Sequence, residues 1–299
     1  MVKRLISANT SEILAMSAAE LKQSIKASEG RVILSENVSF KESYIGDITN
    51  SEMARAFGAD LILLNGVDLL NPVISAIDPN VPNFVAELHR LVGRPIGVNL
   101  EPVDASAQMN EERQELVTGR QLNEASLQVA QALGVDFICL TGNPGTGVTN
   151  KTIASAIRLT KQHFSGLVIA GKMHGAGVDE PVADLEAVSQ FIEAGADVIL
   201  APAVGSVPGF DEADLKAIVQ RAHQAGALVM SAIGTSQESS DTDTIKQMAI
   251  RNKICGVDIQ HIGDSGYGCL APVENIFALS KAIRGQRHTI SMIARSINR

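Results

Sequence analysis

The sequence predicts one α/β domain, residues 1–299, folded as a single closed (β/α)8, or TIM, barrel. Three observations support this prediction. A glycine followed by a short apolar run recurs eight times, at intervals typical of one strand–helix unit. Segments with helical character fill the gaps between these runs. The length of 299 residues also suits a fold that typically uses about 250 residues as one unit.

The eight apolar runs predict eight parallel strands. Glycine is favoured just after a helix because it adopts the left-handed conformation easily, so each glycine marks a helix end and each run a buried strand. The predicted strands lie near 31–35, 60–65, 95–100, 136–141, 166–171, 197–201, 227–232 and 257–261. An open doubly wound sheet also alternates strands and helices. Even spacing, with no Gly-x-Gly-x-x-Gly motif after the first strand, favours closure instead.

Segments at both chain ends and one long loop add to the repeating units. Ser17 and Glu20 form a predicted capping box that starts an extra helix in the N-terminal extension, residues 1–29. This extra helix is expected to cover the bottom of the barrel. Residues 286–299 are predicted to be a short C-terminal tail, and the acidic stretch 104–118 a solvated excursion or lid.

Composition and charge exclude several classes of function. The net charge is −8, and clustered basic residues are lacking, so the chain is not expected to bind nucleic acid. The three cysteines include no C-x-x-C pair, so neither a disulfide framework nor a zinc site is predicted. No signal-peptide core or membrane-length apolar run is present, which predicts a cytoplasmic protein that does not enter membranes.

Candidate catalytic residues lie where strands end, because barrel enzymes build their active sites on the loops after the strands. Lys172 and His174 follow the fifth predicted strand with the same parity, and Glu101 follows the third. Lysine can form a Schiff base or hold an anion, while histidine and glutamate transfer protons. These three side chains are the predicted catalytic set.

Candidate substrate-binding residues come from two groups at the same end of the barrel. The first group consists of polar residues after strands three and four: Asn99, Thr141 and Asn143. The second group lies at the end of strand seven and in the glycine-rich loops after strands seven and eight: Ser231, Gly234, Thr235, Ser236, Gly263, Asp264, Ser265 and Gly266. Barrel enzymes often hold phosphate in these two loops, so a small anionic metabolite is the expected ligand.

Other charged residues near strand ends allow further interpretations. Glu36, Glu101 and Asp264 could together hold Mg²⁺, which prefers oxygen ligands, although no spacing motif supports a metal and no other cofactor is predicted. His261 has the opposite parity to Asp264, which predicts core packing or a helix contact. Aspartates that begin strands are assigned to the stabilising bottom face: Asp60, Asp136, Asp197 and Asp258.

Four segments in the first three quarters of the chain resemble the BtpA family of barrels. They are RPIGVNLEPVD, ALGVDFICLTGNPGTGVTNKTIASA, GLVIAGKMHG and GADVILAPAVGSVPGFDEADLKAIV, within roughly residues 30–225. The resemblance implies a barrel fold, and some members of that family are linked to sugar uptake systems. The chain also resembles, more loosely, phosphate-binding aldolase-type barrels, but it lacks the strand-six lysine of class I aldolases and the K-K-C-G-H signature of phosphonomutases.

The leading prediction is an enzyme that acts on a small phosphorylated or carboxylated metabolite as an aldolase-like lyase or an isomerase. A magnesium-dependent hydrolase or lyase is the alternative within the enzyme class. A non-catalytic barrel of the BtpA type, binding a metabolite or acting in assembly or regulation, is the alternative outside it. The basic residues between Arg287 and Arg299 are compatible with a homo-oligomer contact.

Overall fold

A computed structural model describes residues 2–43, 45–266 and 268–299. Eight parallel strands close into a barrel in sequence order, with β8 paired to β1. The strands are β1 (Val32–Val38), β2 (Leu61–Asn65), β3 (Ile96–Asn99), β4 (Phe137–Leu140), β5 (Leu167–Gly171), β6 (Val198–Pro202), β7 (Leu228–Ile233) and β8 (Ile259–Ile262). The predicted closed (β/α)8 barrel is therefore confirmed.

The first two helices belong to the N-terminal extension, and the later helices surround the barrel and pack against its outer face. The helices are α1 (Thr10–Leu14), α2 (Ala18–Lys26), α3 (Asn50–Phe57), α4 (Phe84–Val92), α5 (Glu124–Leu133), α6 (Asn150–His163), α7 (Leu185–Ala194), α8 (Glu212–Gln224), α9 (Thr242–Cys255) and α10 (Val273–Ala294). The segment predicted as a tail, 286–299, is helical as far as Ala294, because α10 continues through a non-helical Gly285. None of the described helices combines the length and apolar character that a membrane crossing requires.

The N-terminal extension fills the bottom of the barrel. The predicted capping box at Ser17 begins α2. Leu5, Ile13 and Ile25 pack in one buried cluster with inward side chains at the strand starts, such as Val32. Inward and outward side chains alternate along each strand, so a second buried cluster lies between the strands and the helices. Closing the bottom with apolar side chains leaves the opposite end of the barrel as the open one.

Four aspartates at the bottom of the barrel make the same two kinds of contact. Each accepts the backbone N–H of a residue on the preceding strand and pairs with a basic side chain. The N–H contacts are Asp60 with Ile33 at 2.9 Å, Asp136 with Ile96 at 2.7 Å, Asp197 with Val168 at 3.0 Å and Asp258 with Val229 at 2.9 Å. The basic partners are Arg284, His89, Lys161 and His223 respectively. The aspartates therefore join neighbouring strands, far from the open mouth.

The acidic stretch 104–118, predicted as an excursion or lid, lies over one side of the mouth of the barrel. The N–H of Asn110 donates to Gly177 O at 2.8 Å, and the N–H of Gln114 donates to Gly145 O at 2.8 Å. Arg113 donates to backbone carbonyls within the same stretch. The loop after β3 is thus fixed over the loops after β4 and β5, and it covers one side of the opening.

The inward position of Gly97 on β3 makes room for the ring of Phe137 on β4. A Cβ added at Gly97 would lie 2.1 Å from Phe137 Cε2. We expect Gly97→Ala to lower the free energy of unfolding by about 1–3 kcal/mol, the usual cost of overpacking a core. Urea denaturation measures this, and a Gly97→Ala/Phe137→Leu double variant should recover part of the loss. An unchanged midpoint in the single variant would contradict the packing argument.

Candidate functional site

A cavity of about 450 Å³ opens at the mouth of the barrel, where the carboxyl ends of the strands meet. Its volume lies within the range typical of small-molecule sites. Residues from the ends of β1, β2, β3, β4, β5, β7 and β8, and from the loops that follow, line it. The cavity therefore lies at the end of the barrel to which the sequence assigns the candidate site, and its chemistry depends on which side chains reach it.

A carboxyl–imidazole pair occupies the floor of the cavity. Glu36 on β1 lines the cavity, and its Oε2 lies 2.7 Å from Nε2 of His261 on β8. Both side chains are buried. Burial raises the pKa of the Glu36 carboxyl, and the hydrogen bond and charge of His261 oppose that rise without cancelling it. The surroundings of Glu36 thus favour its protonated form more than water does, as in carboxyls that transfer protons.

His261 is fully buried and lies outside the cavity lining, as the predicted core packing implies, but its partner is a carboxyl rather than a helix. Its side chain is on the inward face of β8 and contacts Glu36. The prediction compared its parity with that of Asp264, which lies in the loop beyond the strand, where strict alternation no longer applies.

A chain of hydrogen bonds crosses the mouth and fixes the amide side chains. Asn65 Nδ2 donates to Asp264 Oδ2 and to Asn143 Oδ1, each at 2.9 Å. Asn143 Nδ2 donates to Glu101 Oε1 at 2.8 Å, and Arg120 donates to the same oxygen at 3.0 Å. Four of the five residues line the cavity, the exception being Glu101. The network holds them in one arrangement without a ligand.

Glu101 is a structural member of this network rather than an open base. It is 1% exposed. Besides the two contacts above, its Oε2 accepts the backbone N–H of Asn143 at 2.7 Å. Glu101 therefore positions Arg120 and Asn143, and its predicted catalytic role stays a prediction.

Lys172 lies outside the cavity lining. Lys172 directly follows β5. The inward side chains of β5 are those of Leu167 and Ile169, so Lys172, at the alternate position, has an outward side chain. It is 1% exposed and forms an ion pair with Glu180. Glu180 also accepts the backbone N–H of Asn150 at the start of α6. Lys172 thus fastens the loop after β5 to the helix layer, and the structure does not bring it together with the predicted substrate-binding residues.

His174 does reach the cavity, because the chain turns after β5 ends. Its Nδ1 accepts the backbone N–H of Ala176 at 3.1 Å. Burial, with a smaller effect from the charge of Lys172, lowers the pKa of His174 to about 4. A neutral ring whose Nδ1 is an acceptor carries its hydrogen on Nε2. His174 is therefore a neutral hydrogen-bond donor at physiological pH.

The low pKa of His174 makes the stability of the protein depend on pH. Between 6.5, the ordinary value, and about 4, the unfolded chain binds a proton at this ring and the folded chain does not. Falling pH in that window therefore favours the unfolded state. We expect the melting-temperature advantage of the wild type over His174→Gln to shrink as the pH is lowered through the window. A constant difference between the two proteins would contradict the shift.

The loops after β7 and β8 contribute six of the predicted binding residues to the cavity. These are Gly234, Thr235, Ser236, Gly263, Asp264 and Gly266. Thr235 and Ser236 are consecutive residues with positive φ, 57° and 68°, which is uncommon for residues with side chains and rare for a β-branched one. Such strained backbone tends to occur at functional sites.

These loops have fewer free backbone amides for an anion than the sequence predicted. The N–H of Gly263 donates to Ile233 O, and the N–H of Gly266 donates to Asp264 Oδ1 at 3.0 Å, so both amides have protein partners. Glu238 also lines the cavity here, and burial raises the pKa of its carboxyl. An anion in these loops would lie close to two acidic side chains.

A family model described as "Domain of unknown function (DUF7916)" matches residues 6–299. The chain belongs to the DUF7916 family. A search of curated proteins returned no match. The similar solved structures include the Amycolatopsis orientalis BexX/CysO complex, with 15% identity over 87% of this chain and 91% of that one and a TM-score of 0.49. Thiamine phosphate pyrophosphorylase from Pyrococcus furiosus has 14% identity over 85% and 96%, with a TM-score of 0.48.

Similarity at this level of sequence identity and TM-score gives no information about the activity of the DUF7916 protein. The barrel itself rests on the closed sheet of this protein. The resemblance to BtpA-family barrels stays a prediction, although the barrel fold that it implied is observed.

The remaining predicted site residues of this DUF7916 barrel divide into two sets. Asn99, Thr141 and Asn143 line the cavity as expected. Ser231 is fully buried and lies outside the lining, on a strand whose inward residues include Met230 and Ala232. Ser265 accepts a hydrogen bond from Ser239 and joins the loops after β7 and β8. Tyr267, in the same predicted loop, is outside the described residues.

The tentative magnesium ligands do not form a metal site. Glu36 is bonded to His261, Glu101 to Arg120, and Asp264 to Asn65. Among the described residues, no group of three or more histidine, cysteine or acidic side chains is arranged to hold a metal ion. The prediction grouped these acids by their place after strands, but each has a different protein partner.

Sequence reasoning did not single out Arg120 or Glu238, which both line the cavity. Arg120 lies in a short 3-10 turn, Thr118–Arg120, before α5. Glu238 lies in another, Gln237–Ser239, after β7. Since neither residue directly follows a strand, only the packing of the loops shows that they face the cavity.

Proposed function

We propose that this DUF7916 protein is an enzyme, a lyase or an isomerase, that moves a proton at a carbon next to a carbonyl group in a small carboxylated metabolite. The proposal is carried by one observation: a buried carboxyl, Glu36, lines the cavity and is held by a buried histidine. Purely structural carboxyls are normally kept ionised by several donors. Here burial raises the pKa of Glu36 instead, which is the tuning that general acid–base catalysis needs.

The opposite side of the cavity supplies donors for the substrate. Arg120 offers a guanidinium group that stays charged and is oriented by Glu101. His174 supplies a neutral N–H from Nε2. In the proposed reaction Arg120 holds the substrate carboxylate, and His174 donates to the carbonyl oxygen as negative charge develops on it.

The proton-transfer step then follows from these positions. The C–H bond breaks, its proton passes to the Glu36 carboxylate, and its electron pair forms the C=C bond of an enolate. When the carbon that loses the proton also carries a hydroxyl group, the hydroxyl proton moves to the former carbonyl oxygen, the former carbonyl carbon takes the proton back from Glu36, and an isomerisation is complete. In a lyase, the Glu36 carboxylate takes the proton of a hydroxyl group β to the carbonyl, the C–C bond breaks to release an aldehyde and leave the enolate, and Glu36 returns the proton to the enolate carbon.

Exchange of substrate hydrogen with solvent tests the proposal without knowledge of the natural substrate. The protein is incubated in D2O with a series of short α-oxo acids and hydroxylated oxo acids, and proton NMR follows the C–H signal next to the carbonyl. We expect at least one compound to exchange, and expect Glu36→Gln to abolish that exchange while Glu186→Gln, on the surface of α7, leaves it intact.

Two outcomes would contradict the proposal. The first is exchange that persists in Glu36→Gln, which would place the proton-transfer group elsewhere. The second is tight binding of a ligand with no exchange and no turnover, which would favour the non-catalytic binding barrel.

A further inference from the structure

Charged side chains are divided between two sides of the cavity. Arg120 follows β3 and His174 follows β5, whereas Glu238 follows β7 and Asp264 follows β8. In a closed barrel of eight strands in sequence order, β3 and β4 lie across the axis from β7 and β8. Arg120 and His174 thus lie on one side of the cavity, where Glu111 also lines it, and the two carboxyls of Glu238 and Asp264 lie together on the other side.

The carboxyl of Glu238 has unused hydrogen-bonding capacity. It is 2% exposed, and its Oε2 has no hydrogen-bond partner among the described residues. Asp264 and Glu36 place further negative charge near it. The backbone N–H of Glu238 itself and the charge of His261 favour the ionised form of this carboxyl without offsetting the effect of burial, so a donor from a ligand at Oε2 would relieve a costly arrangement.

A second acceptor in the cavity is also unused. The Oδ1 of Asn99, on β3, is buried and has no partner among the described residues, while its Nδ2 donates to Asn65. Unpartnered acceptors on two walls, Glu238 and Asn99, point to a ligand rich in N–H or O–H donors.

We propose that the substrate carries a protonated amine, which binds between Glu238 and Asp264, at the end opposite its carboxylate. The placing of the carboxylate at Arg120 rests on the proposed function; the amine site rests on the acceptors themselves. An ammonium group supplies three donors and a positive charge together. A hydroxyl group would satisfy the acceptors but would leave the negative charge of the wall uncompensated.

The hydrogen-bond network places three side chains between the two binding groups. Asp264 is joined to Arg120 through Asn65, Asn143 and Glu101, by four successive hydrogen bonds. Their positions on opposite sides of the cavity favour a ligand whose amine and carboxylate are several atoms apart over an α-amino acid, whose charged groups are adjacent. The substrate class is therefore an ω-amino acid or a similar molecule with several atoms between amine and carboxylate.

A matched series of probes tests this inference by binding alone. The amines are γ-aminobutyrate, δ-aminovalerate and ε-aminocaproate, and each is compared with its ω-hydroxy counterpart by titration calorimetry. We expect one amine of the series to bind about tenfold or more tightly than its hydroxy partner, since hydrogen bonds to charged groups add about 1.5–3 kcal/mol. Glu238→Gln should remove this preference, and Glu186→Gln should retain it.

Every other result counts against the inference. Equal or tighter binding of the hydroxy counterparts overturns it in favour of a polyol site. An amine preference that survives in Glu238→Gln overturns it as well, because the amine would then bind elsewhere. Absence of binding by all three amines overturns it as well, provided that circular dichroism shows each protein folded. Hydrogen exchange measures the proton-transfer proposal and the difference in affinity between amine and hydroxy probes measures the amine site, so a failure of the one remains distinguishable from a failure of the other.

Discussion

Replacing Glu36 with glutamine is expected to slow the exchange of substrate hydrogen with solvent by about 10²–10⁴-fold, the usual contribution of a general acid–base group. Glutamine keeps the size of the side chain and its contact with His261, but it cannot take up a proton. The measurement is the exchange rate at saturating substrate for both proteins. A loss of less than about tenfold would show that the carboxyl is not the proton-transfer group.

Two further variants separate the role of Glu36 from that of its partner. Glu36→Asp keeps the carboxyl but withdraws it by one methylene, so part of the rate should return relative to Glu36→Gln. His261 opposes the burial-raised pKa of Glu36. His261→Gln should therefore raise that pKa further and move the rising limb of the pH–rate profile to higher pH. If His261 had only a structural role, His261→Gln would lower the exchange rate without moving the rising limb of the pH–rate profile.

Replacing Arg284 with alanine is expected to lower the free energy of unfolding by about 3–5 kcal/mol, the cost of leaving a buried charge without its partner. The guanidinium of Arg284 is fully buried and lies 2.6 Å from Asp60 Oδ2. It also donates to Gly58 O and to Ser280 Oγ. Removing it would isolate the Asp60 carboxylate that joins β1 to β2. Chemical denaturation of the wild type and the variant measures the loss.

An exposed ion pair of the same chain provides the matched control. Arg90 and Glu87 form a pair on α4 in which Arg90 is 67% exposed. Arg90→Ala should shift the unfolding midpoint far less than Arg284→Ala, because solvent already screens the pair. Asp60→Asn added to Arg284→Ala should recover part of the loss, since it removes the isolated charge. Similar losses in Arg284→Ala and Arg90→Ala would refute the argument from burial.

The periodic parts of the structure were predictable from the sequence. Glycines followed by apolar runs recur once per strand–helix unit, and this local signal predicted all eight strands and their closure. The four aspartates were predicted to lie at the bottom of the barrel because they begin strands, and they do. Asn99, Thr141 and Asn143 line the cavity because residues near the carboxyl ends of parallel strands meet at one end of a barrel.

Tertiary structure decided which polar side chains face the cavity. Lys172 and His174 have the same parity, yet Lys172 turns into the helix layer and His174 reaches the cavity, because alternation fails once a strand ends. The pairing of Glu36 with His261 joins residues 225 positions apart that only barrel closure brings together. Arg120 and Glu238 lie on loops whose course depends on packing rather than on periodicity. The sequence thus determined the barrel and its open end, whereas the charges within the cavity were set by long-range contacts.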